Sequence, residues 1–438
     1  MPRRPPYQPL NVFLNSKLAG QLRRVASGAI DFRYTESWLN WEHTFPVSFS
    51  LPLREDTYSG DSVVAVFENL LPDSDVIRQR LAARTEADGT DAFSLLSTIG
   101  RDCVGAMQFL PEGDEPSDTA TIQSRPISDE QIAHRLRNLR TTPLGIDPRS
   151  EFRISLAGAQ DKTGLLKLNG EWHQPEGSTP TTHIFKPQIG QSGDFDLSRS
   201  VENEHFCMNL LGELGFEVAP TEIVDFYGTR VLVIERFDRH WASDGRLLRR
   251  PQEDICQALG VNSSKKYQSD GGPRIEHILQ FLKASDNPEA DQYVFVKAQI
   301  AFWLLGAIDG HAKNFSIFLK SGGGFRMTPL YDVMTVQHLL ERGTVTRRQA
   351  KMAMSVGDNR HYRLHDIQPR HFAQTVASAG LSQTVVTRAF SDLVNAMPDA
   401  VEHCCEDSDR ELPTELLDGV RAGVKRRISA AAKWLEAQ

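Results

Sequence analysis

The stretch 300-IAFWLLGAIDGHAKNFSIFLK-320 constrains the fold more than any other part of the chain. An apolar run ends at Ile308, the hexapeptide Asp309-Gly310-His311-Ala312-Lys313-Asn314 follows, and an apolar run then resumes. Polar groups lodged between two segments that both read as buried cost about 1–3 kcal/mol each when unpaired, and more when charged. The hexapeptide is therefore either satisfied by its neighbours or built to hold something. Downstream, NFSIFLK-SGGG-FRMTPLYD reads as a β-hairpin with its turn at 321–324 and alternation in both arms. Folding it about Gly323 sets Asn314, at the start of the first arm, opposite Asp332, just past the end of the second, and cross-strand partners sit roughly 5 Å apart at Cβ. Asp309 lies five positions before that Asn.

Two or three hard oxygen ligands around one point suit Mg²⁺, which prefers carboxylate, water and phosphate oxygens. Asp-x₄-Asn followed by an Asp after a short hairpin is also the protein-kinase order. There the first Asp takes the proton of the accepting hydroxyl, and the Asn and second Asp bind metal beside the phosphates. On its own, Asp-x₄-Asn equally describes a capped turn between helix and hairpin, so the upstream sequence has to decide.

In 151-EFRISLAGAQDKTGLLKL-168, two expected strands (152–157 and 163–168) flank the small-residue loop Ala157-Gly158-Ala159-Gln160. A loop without bulky side chains lets backbone N–H groups approach phosphate oxygens. It matches neither G-x-G-x-x-G nor GxxxxGK[ST], and an ordinary tight hairpin has the same composition. In 182-THIFKPQ-188, Lys186 closes an apolar strand, where a phosphate-pairing lysine would sit and where a merely solvated lysine is also common. The helix starting at Ser200 carries Glu204, expected in its first turn, either to pair with Lys186 or to answer the helix dipole. In 230-RVLVIERFDRH-240 a strand runs into a charged segment whose backbone at Glu235, Arg236 and Phe237 could meet adenine.

Composition bounds the rest. A chain of 438 residues, 40% hydrophobic and 24% charged, is an ordinary globular protein with room for two or three domains. Cys103, Cys207, Cys256, Cys404 and Cys405 show no CxxC spacing, which argues against a disulfide framework or zinc site. The N-terminus lacks a continuous apolar h-region, and the longest apolar run is too short to span a bilayer, so a cytoplasmic protein without a membrane partner is expected. Net charge is −8, yet residues 342–371 hold seven Lys/Arg against two Asp. Within that patch Arg360, Arg363 and Arg370 are candidates for phosphate contacts, the alternative being a solvated face.

Short strands are expected at Leu10–Leu14, Ile30–Tyr34 and 47–51, then helix over 61–99 with Asp73 as a cap. A Pro/Gly/Asp/Ser-rich linker covers 111–126, and a helix over 128–140 opens on Ser128-Asp129-Glu130. Further strands are expected at 183–187, 222–227 and 230–236 around a helix over 200–215; after Asp238 the chain reads as mostly helical. The fold class is therefore α+β. A β-rich lobe precedes a mostly helical one, with boundaries at 1–110, 127–238 and 239–438, and ligands commonly sit in the cleft of such pairs.

The segments ISLAGAQDKTGLL, TPTTHIFKP, ENEHFC, VIERFDR, PQEDICQALG, KYQSDGGP, LLGAIDGHAKNFSIF and TPLYDV closely resemble the HipA family, the serine/threonine-kinase toxins of bacterial toxin–antitoxin modules. The resemblance runs over about 60–435 and is strongest over 150–335; residues 1–110 fit the family's small N-terminal β subdomain less specifically. It implies a bilobal, protein-kinase-like fold and an ATP- and Mg²⁺-dependent protein kinase. Asp309 would be the catalytic base, with Asn314 and Asp332 on the metal. Ala157, Gly158, Ala159, Gln160, Asp161 and Lys162 would form the phosphate loop. Lys186, His311, Lys313 and Tyr331 would also contact the nucleotide, and Glu235, Arg236 and Phe237 would form the adenine hinge. It further implies autophosphorylation at Ser155, a partner of the HipB-like helix-turn-helix antitoxin kind, operator DNA held through that complex, and an aminoacyl-tRNA synthetase such as the glutamate enzyme as substrate. The rivals are a small-molecule or lipid kinase of the same fold, a non-catalytic co-repressor and, well below these, a metal hydrolase built on Asp309, His311 and Asp332.

Overall fold

The computed structural model describes residues 7–438 except 118–120, 148–149, 194 and 409–411. The chain divides into two compact units: the first runs to Pro187 and takes in Val224–Ser264 and Ser316–Phe325, and the second holds Gln188–Ile223, Lys265–Phe315 and Arg326–Gln438.

In the first unit, alternating apolar strands build a five-stranded antiparallel sheet in the order Tyr58–Ser59, Ile30–Tyr34, Lys17–Arg24, Leu10–Leu14, Met107–Pro111. The helices Asp61–Glu68, Asp75–Thr85 and Ala92–Ile99 belong to the same unit, and Phe67 meets Phe32 and Phe109 at ring-centroid distances of 5.7 Å. A six-stranded sheet contains, in order, Thr229–Glu235, His183–Pro187, Thr163–Leu168, Glu171–Pro175 and Ser124–Pro126. The helix Asp129–Arg137 covers it, started by a capping box between Ser128 and Gln131. Its Ile132, Ala133 and Leu136 pack on Leu165, Phe185, Val231 and Val233.

Three sequence expectations fail here for local reasons. Residues 47–51 form turns, because their polar groups are met from elsewhere: Val47 N–H donates to Tyr34 Oη, Phe49 N–H to Glu253 Oε1, and Ser50 Oγ to Gln257 O. Residues 152–157 join no sheet; the backbone N–H of Ser155 bonds the carbonyl of Asp102 at 2.9 Å. The helix after Pro72 is capped by Ser74, whose Oγ accepts from Ile77 N–H, whereas Asp73 gives its N–H to Gly158 O at 3.0 Å. The strands Lys17–Arg24, Met107–Pro111 and Glu171–Pro175 went unread, being polar or interrupted on one face.

A buried ion network joins distant parts of the first unit. Asp102 Oδ1 accepts from Arg239 Nη2 at 2.9 Å and from Arg249 Nε at 3.1 Å, and its Oδ2 accepts from Thr181 N–H at 3.0 Å and Thr181 Oγ1 at 2.8 Å. Arg236 grips Asp238 through two bonds of 3.0 and 2.8 Å, and Asp238 also takes Gly105 N–H at 2.8 Å. Burial alone would raise the Asp102 carboxyl; the guanidinium groups of Arg239, Arg249 and Arg236 outweigh it and hold it well below the usual carboxylate range.

In the second unit, the helix Pro288–Leu305 starts at the Asn287 cap and ends at Gly306, whose φ of 72° is the left-handed turn that favours glycine. Phe295 and Phe302 on this helix meet Phe315, and Trp303 meets Phe372 and Phe390 on Pro369–Ser378 and Thr384–Ser408. Among the described residues no helix is long and apolar enough to cross a membrane.

Asp102→Asn is expected to destabilise the first unit by about 3–5 kcal/mol, because it removes one of two carboxylates facing three buried arginines. The folded carboxyl is depressed, so its stabilisation is present above the ordinary Asp value of 3.8 and lost as pH falls towards the folded value. Urea unfolding across pH 2–7 checks this; an unchanged acid limb in the variant would remove Asp102 from that role.

Candidate active site

The polar hexapeptide is satisfied largely within the second unit. After Gly306 the chain turns, and Gly310 lies so close to Phe302 that an added Cβ would come within 2.6 Å of its ring. His311 N–H donates to Asp309 O at 2.8 Å, and Asn314 N–H to His311 O at 2.9 Å, winding 312–314 into one short helical turn. Tyr331 Oη donates to Lys313 O at 2.7 Å. His311, Lys313 and Asn314 are buried, and the Asp309 residue is exposed.

Asn314 is the hub. Its Nδ2 donates to the backbone carbonyl of Asp309 at 2.9 Å and reaches that of Asp332 at 3.5 Å. This juxtaposes the three residues expected to converge, by a route other than the hairpin register. The arms are Ser316–Leu319 and Phe325–Met327, with Lys320 N–H closing the turn on Gly324 O at 2.9 Å, so Asp332 lies beyond the paired residues. It is presented from a left-handed backbone, φ 59°, a conformation that Asp tolerates better than most residues. The neighbouring segment is fixed by Asn203, whose side chain exchanges two hydrogen bonds with the backbone of Thr335, of 2.7 and 2.9 Å. The residues so joined bring two carboxylates and one amide, hard-oxygen chemistry of the kind that suits a divalent cation arriving with phosphates. Among the described residues no group of three or more His, Cys, Asp or Glu is arranged as a resident metal site.

Tyr267 escaped the sequence reading. Its hydroxyl donates to Asp309 Oδ1 at 2.6 Å, and its ring meets His311 edge-on at 4.9 Å. The signal was the segment KYQSDGGP, which carried resemblance but no role.

The remaining expected residues divide between the units. In the first, Gly158 has φ 102°, Lys162 Nζ donates to Ala157 O at 2.6 Å, and Gln160 Nε2 donates to Pro187 O at 2.8 Å, so the loop at 157–162 folds back on itself. Lys186 is buried in the strand His183–Pro187, opposite Leu232, and is not a solvated strand end. Glu235 pairs in register with His183, and Arg236 N–H bonds Thr182 O at 2.9 Å. The Arg236 side chain is committed to the buried network, which leaves its backbone as the part able to meet a ligand. Ser155 is fully buried, its Oγ donating to Leu70 O at 2.8 Å. In the second unit Glu204 is buried one turn into the helix Ser200–Glu213, and Glu202 takes the first-turn place expected for it.

The chain is similar to known proteins over most of its length. The HipA-like C-terminal domain model matches residues 154–401 and the HipA N-terminal domain model residues 10–110. The chain belongs to the HipA family. It is 36% identical over 405 residues to Y4mE of Sinorhizobium fredii, named as a kinase, covering 91% of this chain and 92% of that one. It is 27% identical to the serine/threonine-protein kinase toxin HipA of Shewanella oneidensis, covering 90% and 88%. The structure of a Shewanella oneidensis HipA, HipB and operator DNA complex matches with a TM-score of 0.81 at 25% identity, over 98% of this chain and 100% of that one. The chain is thus a HipA-like serine/threonine kinase toxin with a kinase-like α+β fold, and its chemistry uses ATP.

Gly158→Ala would force a Cβ within 2.6 Å of Lys162 Nζ and strain a backbone at φ 102°. It is expected to cost the ordered loop about 1–3 kcal/mol and to weaken ATP binding. Isothermal titration giving wild-type ATP affinity in this variant would free the loop from a nucleotide role.

Proposed function

We propose that this HipA-family kinase phosphorylates a serine or threonine of a translation component, an aminoacyl-tRNA synthetase such as the glutamate enzyme, and acts beside a HipB-like antitoxin dimer in the cytoplasm. The observation that carries the catalytic part is the Asn314 amide bonding the backbones of both Asp309 and Asp332. Asp309, the exposed residue of the three, is the base: it takes the proton as the acceptor hydroxyl oxygen attacks the γ-phosphorus, and the bond to the β-phosphate oxygen breaks to release ADP. Asn314 and Asp332 would hold Mg²⁺, which supplies charge neutralisation for the phosphates. Lys313 and His311 in the same loop, with Tyr331 bracing Lys313, orient the nucleotide. On the first unit, the loop at 157–162 and Lys186 serve the phosphates, and the backbone at Glu235, Arg236 and Phe237 serves adenine.

The HipB and operator DNA named with the Shewanella oneidensis structure support an antitoxin and operator DNA as partners here. Arg370, on the polar cavity with His365 and His371, is kept as a phosphate contact. Arg360 and Arg363 line a different cavity and are taken up below.

Ser155 is the proposed self-modification site. Its complete burial and its bond to Leu70 O mean that the segment has to leave its seat before a phosphate can be added. A phosphate adds about −1.5 to −2 charges, which the buried seat does not fit.

Asp309→Asn should keep ATP binding and lose about 10²–10⁴-fold in transfer rate. Turnover near wild type, measured by γ-phosphate transfer with candidate synthetases, would rule out the base. Separately, intact-mass spectrometry after ATP incubation should find the added phosphate on wild type and not on Ser155→Ala; equal phosphate on both would sink the site.

A further inference from the structure

A cavity of 910 Å³ in the second unit opens at Asp309. Its walls include Leu197, Ile308, Met334, Val336, Met352 and Tyr362, so it is lined mainly by apolar side chains. One side is the antiparallel pair Lys351–Val356 and His361–Arg363, the heart of the basic stretch that the sequence alone offered as a DNA contact or a solvated face. This pair is tied to the catalytic loop. Ala353 N–H donates to Ile308 O at 2.8 Å, one residue before Asp309. Gln268 and Ser355 exchange two bonds of 2.8 Å, fixing the same pair to the residue after Tyr267. The Tyr267 hydroxyl, an O–H donor 2.6 Å from Asp309 Oδ1, stands where the hydroxyl of a serine or threonine would present its proton. Arg360 and Arg363 are exposed at the cavity's edge, Arg363 with Asp366 at 3.8 Å.

We infer that this cavity is the acceptor site: it takes a protein segment whose accepting serine or threonine is flanked by a bulky apolar residue, with Arg360 and Arg363 donating to the segment's main-chain oxygens. The inference rests on Asp309 being the base. A hydroxyl directed at Asp309 brings its neighbouring residue against the cavity, and the apolar walls reward an apolar side chain there. The two arginines sit at the mouth, where guanidinium donors fit carbonyl oxygens without selecting sequence. A small-molecule acceptor would need only the space next to Asp309 and would leave most of this cavity unused.

The test uses the full-length protein, ATP and synthetic peptides with one serine in a Gly/Ala/Gln background, varying the residue on either side. Initial phosphate incorporation is measured for wild type, Met352→Gln, and Arg360→Ala/Arg363→Ala. A Leu, Met or Phe neighbour is expected to raise kcat/KM roughly tenfold or more over Gln or Lys. Met352→Gln should shrink that ratio several-fold, and the double arginine variant should raise KM for every peptide alike. A flat neighbour profile, or a preference for charged neighbours, overturns the inference. So does a double variant with unchanged peptide KM that instead lowers the salt dependence of antitoxin-complex binding to operator DNA, which would give these arginines to DNA. Where no peptide is phosphorylated, self-phosphorylation by intact mass separates the readings: self-transfer that Asp309→Asn abolishes leaves the base reading standing and sinks the peptide site, and self-transfer that it spares sinks the base.

Discussion

Three guanidinium groups can be buried together only where negative charge meets them, and in the first unit most of that burden falls on Asp102. Its carboxylate receives Arg239 and Arg249 directly and Arg236 at 3.5 Å, and Asp238 completes the set. The arginine contacts to Asp102 span 134 to 147 residues of sequence. The loop after Ile99, the turn at Thr181, the strand end at Arg236 and the strand Leu247–Arg249 are registered by one side chain. Buried pairs of this kind are weak evidence for net stability, but removing one partner is costly, so the network fixes geometry more surely than it adds free energy. The geometry it fixes includes the backbone around Arg236 that the kinase reading gives to adenine.

The second unit solves a different problem. Its hexapeptide is buried except at Asp309. Neighbouring backbone groups and the Tyr331 hydroxyl bond within and against the turn, Phe302 closes over Gly310, and the Asp309 residue is left at the surface beside Tyr267. On the proposed base role that exposure is what Asp309 needs to reach a hydroxyl on another protein, whereas a structural acid does not need it. The same logic explains why Asp332 adopts a left-handed backbone: the residues after it are held by Asn203, which leaves the turn little freedom.

What could be read in advance follows from which forces are local. The helix starting after Ser128, the strands Thr163–Leu168 and His183–Pro187 and the helix from Ser200 announced themselves through capping and periodicity. The juxtaposition of Asp309, Asn314 and Asp332 was legible as spacing, and what the hairpin argument lacked was the Asn314 side chain that bonds both backbones. Segments 47–51 and 152–157 misled because their alternation is that of a strand, while their hydrogen-bond partners, Glu253, Gln257, Asp102 and Leu70, lie far away in sequence. Tyr267 was invisible for the same reason: its partner Asp309 is forty-two positions on.

Segment 152–157 has a further consequence. Having no sheet partner, its order depends on groups supplied by the N-terminal domain: Leu70 O for the Ser155 hydroxyl, Asp102 O for its N–H, and Asp73 N–H for the carbonyl of Gly158. The small N-terminal domain is thus the floor on which this loop lies. Lifting the loop strands a buried carbonyl at Leu70 and an N–H at Asp73, at about 1–3 kcal/mol each where water does not reach them. If Ser155 is the modified residue, that is small enough for one added phosphate to reverse and large enough to hold the loop down without it. On the self-modification reading, the domain that looks least like part of a kinase is therefore the one that sets the balance between the seated and the expelled loop. Any partner that loosens residues 70–73 would act on the same equilibrium without touching Asp309.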